Sequence, residues 1–211
     1  MSMPFGYFQG INRTIAYALE AHSGTNRKED NDGHSLPYIF HPMEVAKRVW
    51  SWGLGDDLML QAAVLHDVIE DCPGYDLTHY QHSSGYGIQD VFGKAVADLV
   101  VELTLLKDPN WTPEQAKRSK LEYMQSFANK SLAALVIKLG DRFCNVWDFL
   151  LTNPKYAYKY FRKADPVYQA AHDRQAEMMD AYGEEVLRAI RRDYRRLCED
   201  LDAEGFITLF D

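Results

Sequence analysis

The run AAVLHDVIED at 62–71 sets one histidine and three carboxylates into an apolar stretch. An ionised carboxylate buried without a partner costs far more than a domain tolerates, so such a group is paired, neutralised or bound to a metal. His66 and Asp67 offer imidazole nitrogen and carboxylate oxygen, a ligand set for a divalent transition metal such as Mn, Fe or Zn. Residues three and four apart share a helix face. Glu70 follows His66 by four and Asp67 by three, and Asp71 follows Asp67 by four. Glu70 and Asp71 are thereby placed to hold or deprotonate a water on that metal. The bland alternative is a helix end with both acids facing water before Pro73. His172-Asp173 shows how little the dipeptide means alone: in AAHDRQAE it has polar neighbours and reads as surface.

A second stretch breaks its pattern in the same way. LAALVIKLGDRFCNVWDFLL at 132–151 is almost continuously apolar, yet it holds Lys138, Asp141, Arg142, Asn145 and Asp148. Asp141, Asn145 and Asp148 are spaced four and three, hence on one helix face, with Arg142 beside it. A surface pair of Asp141 with Arg142 or Lys138 would explain this helix by itself. A shared metal would explain both helices.

Helical spacing dominates the elements that must carry these groups. Helices are expected over about 12–22, from His41-Pro42 up to Gly53, and from Asp56-Asp57 to the stop at Cys72-Pro73-Gly74. Further helices are expected over about 90–106, 113–128, 131–151, 155–180 and 184–202. Proline suits a first helical turn, Glu44 complements that N-terminus, and Val45, Val49 and Trp52 form a buried stripe. SGTNRKEDNDGHSLP (23–37) and YDLTHYQHSSGYGIQ (75–89) read as polar loops. In the second loop His79 and His82 have a spacing that would suit another metal, but a Tyr-rich loop is the plainer reading. Period-two alternation is hardly visible, and no internal repeat stands out. The expectation is an all-α fold, a helical bundle with its site between helices.

The bulk numbers bound the partners. A chain of 211 residues, 46% hydrophobic, suits a single domain with a sizeable core. With 23 basic against 31 acidic residues the charge is −8, so no general nucleic-acid footprint is present. Cys72, Cys144 and Cys198 form no CxxC pair, which fits a reducing cytoplasm, and no apolar run approaches a membrane span. Tyr156, Tyr158, Tyr160 and Phe161 read as packing. Leu187, Ile190, Tyr194, Leu197 and Leu201 read as a cap on the core, with a homodimer seam as the alternative.

YIFHP, AAVLHDVIED and IKLGDRFCN, in this order, resemble the hydrolase domain of the RelA/SpoT family, within the HD-domain metal-dependent phosphohydrolases. AHSGTNRK is similar to that family's first basic loop and FGKAVADLVVELT to its middle helix. The likeness runs over about 15–149 with no second catalytic region after it, as in the single-domain small alarmone hydrolases. Helices over 155–211 would complete the domain.

The resemblance implies that His41, His66, Asp67 and Asp141 hold one metal, usually Mn²⁺, while Glu70 and Asp71 position the attacking water. It sets Arg27 and Lys28, in a loop with no core to serve, beside the nucleotide, and Asn145 beside sugar and base. Lys107, Lys138 and Arg142 follow as phosphate contacts or site support, and Asp148 is counted with the substrate-binding residues. Gly140 stands where Ala is usual, Cys144 where His or Tyr, and Trp147 where Arg, so the nucleotide wall differs from the family pattern. The implied activity is removal of pyrophosphate from the 3′ position of a purine nucleotide alarmone of the stringent response, (p)ppGpp or (p)ppApp. The alternatives are an HD-type phosphohydrolase for other nucleotides and a non-catalytic nucleotide-sensing module.

Overall fold

The AAVLHDVIED segment is deeply enclosed, with every residue from 62 to 69 buried. The computed structural model describes residues 5–27, 33, 35–72 and 87–201, and among these the fold is all-α. Helix α1 spans Phe5–Ala21, α2 Phe40–Ser51, α3 Asp57–Leu65 and α4 the single turn Val68–Asp71. They are followed by α5 (Ile88–Phe92), α6 (Lys94–Leu103), α7 (Pro113–Ser126) and α8 (Leu132–Thr152). The chain then runs through α9 (Pro154–Arg162), α10 (Asp165–Asp173), α11 (Gln175–Tyr182) and α12 (Glu184–Asp200). An isolated bridge between Asn26 and Pro37 closes the base of the first polar loop.

Local chemistry sets most boundaries. Asp56 caps α3 by accepting from the Met59 amide at 2.9 Å, and Ser131 caps α8 through the Ala134 amide at 3.1 Å. Thr112 and Gln115 form a capping box at the start of α7, with Pro113 in its first turn. α2 ends at Trp52 and the positive φ of Gly53.

Three expected helices are divided. The stripe across His66–Glu70 is not one smooth helix, because the chain flattens at Asp67 (φ −101°, ψ −4°) between α3 and α4. The segment expected at 90–106 is split by Gly93, whose φ of 85° no regular helix accommodates. The segment expected at 155–180 is three helices. Pro166 in the first turn of α10 lacks an amide hydrogen and excludes continuation from α9. The α10–α11 break falls at Arg174, whose guanidinium reaches the Lys130 and Phe127 carbonyls at 2.7 and 3.3 Å.

α3 packs between α1, α2 and α6, while α8 packs on α2, α6, α9, α10 and α12. Val45, Val49 and Trp52 are buried against this framework as expected. Leu187, Ile190, Tyr194 and Leu197 are buried in the same core, so the α12 seam is spent inside the chain and only half-buried Leu201 remains of it. Among the described residues no helix is long and apolar enough to cross a membrane. His172 is half-buried and Asp173 exposed, in keeping with the surface reading. His79 and His82 lie outside the described residues.

Candidate active site

α2, the α3–α4 turn and α8 meet at His41, His66, Asp67 and Asp141. His41, His66 and Asp141 each bring one donor atom within 4.8 Å of the others, and all three are buried. His41 Nε2 lies 3.2 Å from Asp141 Oδ1 and 3.8 Å from Asp67 Oδ2. His66 Nε2 lies 3.1 Å from Asp67 Oδ2 and 3.9 Å from Asp141 Oδ1. The ring of His66 is held by its other nitrogen, with Nδ1–H donating to the Ala63 carbonyl at 2.8 Å. That bond directs the Nε2 lone pair inward, and Nε2 is a buried atom with no hydrogen-bond partner among the described residues. An imidazole fixed through its far nitrogen and otherwise unsatisfied is the arrangement of a metal ligand. The donor set fits a divalent metal.

Electrostatics point the same way. Burial lowers the proton affinity of His41, favouring the neutral ring that ligates. Burial works against a charged His66 too, yet the Asp67 carboxylate outweighs it and raises its pKa, so this spot draws positive charge. Burial would raise the Asp141 carboxyl, but Arg142 and Lys138 hold it well below the usual carboxylate range. Arg142 Nη2 donates to Asp141 Oδ2 at 2.5 Å and Lys138 Nζ lies 2.8 Å from the same oxygen. Asn145 Nδ2 donates to Asp141 Oδ1 at 2.5 Å. The pairs of Asp141 with Arg142 and Lys138 therefore exist, but they are buried rather than superficial. They anchor a carboxylate that faces both imidazoles.

Residues 14–175 match the HD domain family. The chain belongs to the HD-domain family. This HD-domain chain is 31% identical over 140 residues to guanosine-3′,5′-bis(diphosphate) 3′-pyrophosphohydrolase MESH1 of Xenopus tropicalis, covering 66% of itself and 69% of that protein. It is 29% identical over 161 residues to a probable guanosine-3′,5′-bis(diphosphate) 3′-pyrophosphohydrolase of Synechocystis, covering 75% of itself but only 19% of that longer protein. A solved structure of a metazoan ortholog of SpoT that hydrolyzes ppGpp shares the fold, with a TM-score of 0.64 at 23% identity over 93% of this chain and 98% of that one.

Around the HD centre the site divides into two cavities. One, of about 200 Å³, is polar and is lined by Asp67, Glu70, Asp71 and Asp141 together with Lys107, Lys120, Lys138 and Arg142. Lys107 Nζ sits 3.0 Å from Glu70 Oε1 and 3.1 Å from Asp71 Oδ1, while Glu70 Oε2 accepts from the Leu105 amide at 3.1 Å. The acids are thus held by one lysine, one backbone amide and, at Asp71, the Tyr38 hydroxyl at 3.4 Å rather than simply solvated. The other cavity, about 450 Å³, has apolar walls of Leu36, Phe40, Trp147 and Leu151, with His41 at its junction with the metal cluster.

The sequence singles out most of the residues that line these cavities and misses several. Arg27, expected beside the nucleotide, is half-buried; it pairs with Asp148 and donates to Asn145 Oδ1 at 3.3 Å, joining the first loop to α8. Lys28 lies outside the described residues. Tyr38, inconspicuous within YIFHP, donates its hydroxyl to Asp67 Oδ2 at 2.6 Å. Burial, then Asp67, raises the Tyr38 pKa far above the ordinary phenol value, so it stays a donor. Lys120 and Tyr160 line the polar cavity although neither carries a motif signal. Arg48 stacks on Trp147 at 4.2 Å and bonds Asp193 at 2.8 Å, while the Trp147 indole donates to Asp200 at 3.1 Å. The wall at Trp147 is therefore braced by α12.

Proposed function

We propose that this HD-domain chain hydrolyses a 3′-pyrophosphorylated purine nucleotide of the (p)ppGpp or (p)ppApp type, releasing pyrophosphate, with Mn²⁺ as its metal. The observation that carries the reading is the intact acidic pair: Glu70 and Asp71 stand together, bridged by Lys107, in the same cavity as Asp67 and Asp141. A nucleotide sensor has no use for them. The relatives named above are 3′-pyrophosphohydrolases of a guanosine bis(diphosphate), which supports the substrate class.

His41, His66, Asp67 and Asp141 would hold the metal. Bound there, it supplies Lewis acidity to a phosphate oxygen and lowers the pKa of water. The apolar cavity receives the nucleoside, with Arg27 and Asn145 at its edge. The polar cavity receives the 3′-diphosphate. Glu70 and Asp71 orient the attacking water and take its proton, while Lys107 keeps the two carboxylates in register. Water adds to the phosphorus joined to the 3′ oxygen, that oxygen–phosphorus bond breaks, and the departing 3′ oxygen is protonated. Lys138 and Arg142 act through Asp141 rather than on substrate. The free thiols of Cys72, Cys144 and Cys198 support a cytoplasmic setting.

Incubation of purified protein with Mn²⁺ and a nucleotide panel, read by ion-exchange chromatography, tests the reading. Pyrophosphate release from 3′-pyrophosphorylated guanosine or adenosine nucleotides is expected. Tripolyphosphate or 5′-phosphate release would assign a different HD-type reaction, and no turnover with any nucleotide would leave a sensing module.

A further inference from the structure

Four carboxylates and four cations line the polar cavity, so its own formal charge is balanced before any metal is bound. A divalent ion adds two positive charges there and turns the cavity into an anion site. The cations are unequal in what they have left to give. Lys138 and Arg142 are both buried and both bonded to Asp141, and Lys107 is shared between Glu70 and Asp71. Lys120, on α7, has no hydrogen bond or ion pair among the described residues. Desolvation, then Arg142 and Lys163, lower its pKa, and Glu70 offsets them only in part. The Tyr160 hydroxyl also lines the cavity without a hydrogen-bond partner among the described residues.

From this contrast we infer that Lys120 binds the diphosphate group, as the cation of the polar cavity that no carboxylate holds in an ion pair. Its ligand is the pyrophosphoryl end of the substrate and the inorganic pyrophosphate released from it. The inference rests on the hydrolase reading for its substrate but not for its chemistry, which requires only a metal-loaded cavity and a small polyanion. Lys120 is a binding residue here. The committed cations shape Asp141 and the acidic pair, and Lys120 meets the charge that arrives.

The test is isothermal titration of the Mn²⁺-loaded protein with inorganic pyrophosphate, with metal content checked after each titration. Lys120→Ala should weaken pyrophosphate binding about 10- to 100-fold, the span of one lost charge-assisted hydrogen bond. Lys120→Arg should restore most of it. Lys117→Ala, an exposed lysine one turn earlier on α7, should leave it unchanged and controls for net charge. Binding of the nucleoside 5′-diphosphate product and the melting temperature should stay at wild-type values in Lys120→Ala, because its side chain holds nothing else in place. Wild-type pyrophosphate affinity in Lys120→Ala, equal weakening of pyrophosphate and nucleoside diphosphate, or no pyrophosphate binding to the wild type would each overturn the inference. Lys120-dependent pyrophosphate binding in a protein that turns over no 3′-pyrophosphorylated nucleotide would keep it and reject the hydrolase reading. Normal turnover with no effect of Lys120→Ala would do the reverse.

Discussion

Asp141 on α8 and the Glu70–Asp71 pair on α4 are acids beside the same cluster, housed in opposite ways. Asp141 is 2% exposed and receives Lys138, Arg142 and Asn145 within 2.8 Å. The side chains of Glu70 and Asp71 are 16% and 35% exposed and share Lys107, which is itself half open to water. A carboxylate clamped by two buried cations cannot shift or take up a proton at neutral pH. It is suited to holding a metal. Glu70 and Asp71 instead stand at the water's edge, where an attacking water can reach them, tied by a lysine, the Leu105 amide and the Tyr38 hydroxyl. On the proposed reading, the difference separates a holding role from a reacting one within one cavity.

Removing Asp141 breaks the holding side most severely. Asp141→Ala strands Lys138 and Arg142 in the core as unpaired charges, at a cost of roughly 3–5 kcal/mol. The melting temperature should fall on the order of 10 °C, with metal and activity both lost. Asp67→Ala should also lose metal but melt closer to wild type, since its contacts are Tyr38 and the imidazoles rather than a buried lysine or arginine. Elemental analysis with calorimetry on both variants decides it, and full metal occupancy in Asp141→Ala would remove Asp141 from the ligand set.

The reacting side should respond through rate alone. Glu70→Gln and Asp71→Asn keep shape and hydrogen-bonding capacity while removing charge. Turnover should drop about 10²–10⁴-fold, the usual reach of general acid–base help, with metal content near wild type. Near-normal turnover would return the pair to a solvated helix end, and lost metal would move it into the ligand shell.

How much of this contrast the sequence carried follows from what a pattern records. Acids interrupting two apolar helices are conspicuous because burial makes them costly, so His66, Asp67 and Asp141 were legible along with the all-α fold. Spacing does not record whether a cation is already spent. In sequence Lys138 and Arg142 read either as partners of Asp141 or as phosphate contacts or site support, and the structure bonds both to Asp141, while Lys120 looks no different from its α7 neighbour Lys117. Tyr38 was hidden for a related reason: a tyrosine before an apolar helix is unremarkable until Asp67 appears within 2.6 Å of it. The break before α10 was available from Pro166. The break at Arg174 coincides with contacts to a segment more than forty residues earlier, which no local window contains.

Arg27 tests the boundary between the site and its support. Arg27→Ala should reduce kcat/KM roughly 10- to 100-fold if it makes one charge-assisted contact to substrate. Its pair with Asp148 is partly solvent-exposed, which limits the stability loss to about 0–1 kcal/mol. Steady-state kinetics beside a melting curve separates the two. A large melting shift with unchanged KM would make Arg27 a strut between the first loop and α8.

The smallest expected effect lies one residue from Asp141. Gly140 lets α8 approach α2 closely: a methyl group added there would sit 3.4 Å from Val49 Cγ2, 3.6 Å from Val45 Cγ1 and 3.8 Å from the Trp52 ring. Those are contacts at van der Waals distance, not overlaps. Ala in place of Gly in a helix interior gains up to about 1 kcal/mol from the stiffer unfolded chain and better propensity. Slight crowding against Val49 offsets part of it. Gly140→Ala should therefore leave melting temperature level or raised by a few degrees, with turnover and metal content unchanged. The substitution also probes the holding side, because α2 carries His41 and α8 carries Asp141, 3.2 Å apart. If the methyl group pushed the helices apart, metal affinity would fall while the fold stayed intact. Metal titration of Gly140→Ala against wild type reads that separation directly, and weakened affinity would show that the close α2–α8 approach, and not the donor set alone, fixes the site.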